Sequence, residues 1–124
     1  MQRLMFESAW DKALSAHDRE KIQRVFLQTY VTNKESIQFS QLWQAKNHRG
    51  ERLVTVLIHN FSKHALLFQD TKLQYLVNEQ VIAEHTFSLP SLKIEPETSM
   101  PWTFIFPNGS FKNDLIVGGH LELV

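Results

Sequence analysis

The side chains of this sequence that can do chemistry beyond packing are six histidines, accompanied by serines and carboxylates, in a chain with no cysteine. Imidazole binds divalent metals and moves protons near neutral pH, so the first question is whether the histidines fall at ligand spacing. None does: neither a His-x-His pair nor a His-Glu-x-x-His motif is present. Without thiolates, zinc would need imidazole and carboxylate ligands alone. His59 and His85 fall in strand-like segments and His64 in a loop-like one, so a small-ligand or metal site built on His59 and His85 requires a sheet that brings them together. Histidines hydrogen-bonded in strands or solvated are the simpler expectation. The sequence also lacks a Gly-x-Ser-x-Gly elbow, a glycine-rich phosphate loop and a close pair of carboxylates in an apolar setting. No catalytic, cofactor-binding or metal-ligating residue is assigned, and a non-enzymatic protein without cofactor is expected.

Composition narrows the partners. Thirteen basic residues balance thirteen acidic ones, which leaves no electrostatic footprint for nucleic acid or for an anionic membrane surface. The basic turn from Lys46 to Arg52 is short, contains Glu51 and reads as a solvated hairpin tip. No apolar run reaches the length of a membrane span, and Met1 to Trp10 lacks the apolar stretch of a signal peptide. Absence of cysteine permits a reducing compartment, and a soluble cytoplasmic protein is expected. At 124 residues and 43% hydrophobic content, the chain has the size and composition of one domain spanning residues 1–124.

The elements that must position any site begin with a short apolar run, Leu4-Met5-Phe6, followed by Trp10. Ser15 and Asp18 then stand at capping-box spacing, ahead of Ile22, Val25, Phe26 and Thr29 at helical spacing. This predicts one amphipathic helix ending near Gln28 to Tyr30. Its apolar stripe needs a surface, so residues 1–30 are part of the domain, with the sheet structure in residues 36–124.

From Ser36 the period changes to two. Ile37, Phe39, Gln41 and Trp43 are read on one face of a strand, the turn at Asn47 to Gly50 calls for positive φ at the glycine, and Leu53 to Asn60 returns antiparallel. Both faces of that returning strand are largely apolar, which predicts a strand covered on both sides. Ala65 to Phe68 is a short apolar piece, Leu73 to Val77 a further strand, and Asn78-Glu79 a tight turn into Val81 to Phe87, closed by Pro90. Ile94, hemmed in by Pro96, is read as a short strand or a crossing between sheets. Trp102, Phe104 and Phe106 share one face of a strand bounded by Pro101 and Pro107; core packing explains that spacing better than a ligand platform. Trp10 and Trp43 are less constrained, and either is a candidate to cap an exposed groove. Leu115 to Val117, Gly118-Gly119 and His120 to Val124 are read as a last strand, bent at the glycines. About seven short strands with one N-terminal helix read as a mainly β fold, an antiparallel immunoglobulin-like β-sandwich.

Three stretches carry a resemblance: Val54 to Asn60, Ile82 to His85, and above all Ser99-Met100-Pro101-Trp102-Thr103-Phe104-Ile105-Phe106-Pro107 with Ile94-Glu95-Pro96 before it. From about Phe6, including Glu7 to Asp11, to Phe106 the chain resembles the SLAP domain, named for S-layer assembly proteins of Bacillus and related Gram-positive bacteria. The resemblance implies an interaction or assembly module and brings no catalytic residues. A protein partner, or a second copy met through an edge strand or sheet face, is the expected ligand.

Overall fold

The computed structural model describes residues 2–30, 36–111 and 118–124. In chain order the elements are β1 (Arg3–Leu4), α1 (Ser8–Ala13), α2 (Ala16–Thr29), β2 (Ile37–Lys46), β3 (Arg52–Asn60), β4 (Leu66–Val77), β5 (Gln80–Ile94), β6 (Thr98–Phe106) and β7 (His120–Leu123). They form two sheets, one ordered β1-β6-β3-β2 and the other β5-β4-β7.

The aliphatic run of β3 sits at the centre of the first sheet, between β2 and β6, and is buried from Val54 to Asn60. Val54, Val56 and Ile58 face the second sheet and meet Phe104 and Phe106 of β6, Leu73 and Tyr75 of β4, Phe87 of β5 and Leu121 of β7 in the main core. Aromatic rings dominate there, with Phe104 and Phe106 each meeting Phe87 edge-on at 5.2 and 5.3 Å between centroids. Trp102 packs on the same core but is only half-buried. The opposite face of β3 presents Leu57, which is buried with Ile22 of α2 and Leu42 of β2 in a second cluster. That apolar cover on both faces follows from the composition of the strand.

Buried polar side chains of β3 are all bonded. Asn60 donates through Nδ2 to the carbonyls of His64, Ile94 and Glu95 at 2.8, 3.0 and 3.2 Å and accepts from Ser62 N–H and O–H. One amide thereby ties the exit of β3 to the passage from β5 to β6, which is where the chain crosses between the sheets.

The structure corrects several expectations. Two helices, not one, precede the sheets: Glu7 caps α1 through its carboxylate and Ser15 caps α2, accepting from Asp18 N–H at 3.1 Å. The break between them comes at Leu14, where the backbone is extended. The first sheet is mixed, because β1 pairs parallel with β6. Pro90 does not end its strand; β5 continues to Ile94 on the sheet edge, where a missing N–H costs no ladder bond. The segments around Leu66 and Leu73 are one strand, β4, with irregular register between Leu67 and Thr71. A shift between Gln41 and Trp43 turns Trp43 to the helical side instead of the face of Ile37 and Phe39. Leu115 to Val117 lie outside the described residues.

The β4–β5 hairpin closes through Asn78 and Glu79, with φ of 51° and 66°. Two consecutive positive φ values define a turn that favours Asn-Gly, and glutamate is strained at the second position. Replacing Glu79→Gly should therefore stabilise the protein by about 0.5–1 kcal/mol, read as a higher urea midpoint at unchanged slope.

Candidate functional site

The sheets do not bring the histidines together. His59 lies on the helix-facing side of β3, and both its ring nitrogens are engaged by hydroxyls: Nδ1 with Ser99 at 2.6 Å, and Nε2 with Thr29 at 3.0 Å and Ser40 at 3.1 Å. His85 belongs to β5 in the other sheet and packs against Phe87 and Phe106. His120 pairs with Glu122 at the surface. Among the described residues no three metal-ligating side chains are gathered. The Ser99–His59 contact has the partners of a nucleophile and base, yet both residues are fully buried and, among the described residues, no carboxylate contacts the ring.

The aromatic candidates resolve into packing. Phe104 and Phe106 are core residues. Trp43 packs against the second cluster with the Lys21 ammonium 5.7 Å above its ring. Trp10 joins the same cluster and lines an apolar hollow with Ala9, Ala13 and Leu14. At the β2–β3 hairpin, Gly50 takes a φ of 80°, and Glu51 is bonded by Asn47 and paired with Arg49.

What the architecture does create is a cleft of about 500 Å³ between the last strands of the two sheets, lined by residues 36–39 of β2 and its approach and by residues 120–123 of β7. Strand alternation fixes the character of its walls. Phe61 N–H donates to Ser36 O at 2.8 Å, so in an antiparallel ladder Ser36, Gln38 and Ser40 bond to β3 while the N–H and C=O of Ile37 and Phe39 point away from the sheet. On β7, Val124 N–H donates to Lys72 O at 3.1 Å, and the same alternation turns the backbone groups of Leu121 and Leu123 away from β4. Two of these residues carry their side chains into the main core, where Leu121 is buried and Phe39 meets the Phe104 ring edge-on, while Leu123 is exposed. The cleft thus has backbone walls and an apolar floor. Sequence reading located both strands, but it gave no signal that two edges from different sheets would lie side by side.

Beyond Phe39 the cleft is tied shut. Gln41 Nε2 donates to Gly119 O at 3.1 Å and to Tyr75 Oη at 3.0 Å, and Gln44 Nε2 also donates to Tyr75 Oη. The Gly119 carbonyl fixes the orientation of the Gln41 amide and leaves its Oε1 buried without a donor among the described residues. Glycine is needed at 119 for space, since a Cβ there would lie 2.0 Å from Tyr75 Cε1.

The SLAP domain family matches residues 4–118, nearly the whole chain and including the Pro-Trp strand β6. The chain belongs to the SLAP domain family. No curated protein and no solved structure matches it. Among the described residues of this SLAP domain, no helix is long and apolar enough to cross a membrane. Membership covers the walls of the cleft on β2 but stops before β7.

Because the tie depends on the close approach at Gly119, Gly119→Ala should displace the Tyr75 ring and break its bonds to both glutamines. A loss of about 1–3 kcal/mol is expected in urea unfolding, together with a changed Tyr75 ring environment by NMR.

Proposed function

We propose that this SLAP domain is a non-enzymatic interaction module that takes an extended segment of a protein partner along the cleft between β2 and β7. The observation that carries this reading is the pair of sheet edges at Ile37/Phe39 and Leu121/Leu123, whose outward backbone groups flank an apolar floor. Strand addition draws affinity from such main-chain groups and specificity from alternate side chains. Other edges are blunted: β1 covers the start of β6, which then carries Pro101, and β5 carries Pro90. The pairing of β3 with β6 in one sheet and of β4 with β7 in the other supports an immunoglobulin-like sandwich. The cysteine-free composition suits a cytoplasmic setting.

The test uses proline as a backbone probe. At position 37 the N–H points out of the sheet, so Ile37→Pro removes a donor to an added strand without removing a bond to β3. Light scattering and pull-down should find a partner, or self-association, with the parent protein. The variant should lose it while its unfolding free energy changes by no more than about 1 kcal/mol. A parent protein that stays strictly monomeric and retains nothing, or a proline variant that binds as well as the parent, would sink the proposal.

A further inference from the structure

The helical layer is held to the rest of the molecule differently from the way the two sheets hold each other. The main core contains no residue of α1 or α2; these helices pack on the separate cluster of Ile22, Leu42 and Leu57, ringed by partly buried Leu4, Phe6, Trp10, Leu14, Val25, Phe26 and Trp43. On the same face of β3 as Leu57 stands His59, which is bonded to β6, β2 and α2. Ser99 belongs to β6, Ser40 to β2 and Thr29 to the last turn of α2. Gln2, just before β1, extends the chain by donating to Ser99 Oγ at 3.0 Å.

The bonds of these partners fix the state of the ring. Ser99 Oγ accepts from Gln2 and has its own proton left for His59 Nδ1. Thr29 gives its proton to the Val25 carbonyl at 2.7 Å and is left to accept from Nε2–H. A neutral ring, protonated at Nε2, accepts from Ser99 at Nδ1 and donates toward Thr29 and Ser40. A doubly protonated ring turns the Ser99 contact around and strands the serine proton. We propose that His59 is a proton-operated latch: protonation of its ring releases α2 and the N-terminal segment from the first sheet while the core between the sheets stays folded.

Among the described residues, none in contact with the ring can offset a positive charge. α2 presents Thr29, β2 presents Ser40, β6 presents Ser99, and Phe61 stacks on the ring at 5.2 Å. Burial accordingly pushes the imidazole down from its ordinary 6.5 to about 4. The closed form therefore resists the proton that the open form accepts below pH 6.5, and opening takes up one proton between pH 6.5 and 4. Closure is at full strength above that window and weakens as pH falls through it.

Hydrogen exchange on the full chain tests this. After correction for intrinsic rates, protection of the α2 amides should be lower than that of Val56 to Ile58, and should fall about fortyfold from pH 6.5 to 4.5. His59→Gln, whose side chain takes up no proton, must abolish the slope. Thr29→Val offers a second route: it should lower α2 protection at pH 7 and keep the slope. The His59 ring signals of the parent protein, followed by NMR, should change with the same midpoint as the helix. Protection of α2 equal to that of β3 at every pH, a slope that survives His59→Gln, or a ring that titrates while α2 stays closed would each overturn the latch.

Discussion

Everything in this fold answers to one constraint: β3 has no face that can meet water. Burying a strand on both sides requires two partners of different origin, since a single antiparallel sheet opposite can cover only one face. Here the second sheet covers Val54, Val56 and Ile58, and the N-terminal helices cover Leu57. The polar residues that β3 takes inside, Thr55, His59 and Asn60, are tolerated because each is bonded: Thr55 to Thr103 across the ladder, His59 to hydroxyls and Asn60 to backbone. Asn60 and His59 thereby do opposite jobs on neighbouring positions, one stitching the sheets at their crossing and the other fastening the helical layer.

Much of this was legible from residue type and spacing. The doubly apolar run of β3, the alternating aromatics of β6, the positive φ at Gly50 and the Ser15 cap of α2 are local features, and local chemistry determines them. Other features depend on contacts distant in sequence. The extended residue at Leu14 that splits the helical segment, and the parallel pairing of Arg3 and Leu4 with Thr98 and Ser99, have no local signature. Pro90 misled for a related reason: proline ends a central strand but not an edge strand, and edge position is a property of the sheet. Periodicity also failed at Trp43, because an inserted residue in β2 changes the face of everything after it.

The candidate cleft was illegible for the same reason in stronger form. Its residues, Ile37, Phe39, Leu121 and Leu123, are ordinary aliphatic and aromatic strand residues, and what distinguishes them is which backbone groups remain outside the ladder. The histidines, in contrast, attract attention by type, yet the structure disperses them and uses His59 as an internal fastening. Family membership accords with this distribution: the SLAP domain match spans residues 4–118, and the resemblance that suggested it rests on strand residues, not on side chains set for chemistry.

The irregular register at Gln41–Trp43 has a consequence for how this domain tolerates change in length. Upstream of it, β2 serves the inter-sheet core through Phe39; downstream, Trp43 serves the helical cluster. One extra residue is what lets a single strand contribute aromatic rings to two separate interiors. Deleting Leu42 would restore strict alternation with Trp43 still opposite Thr55 on the helical side, at the cost of the Leu42 side chain in the helical cluster. What the strand cannot do is keep every residue and lose the irregularity: with Leu42 paired in strict alternation the indole would face the second sheet with Phe39, emptying one interior and overfilling the other.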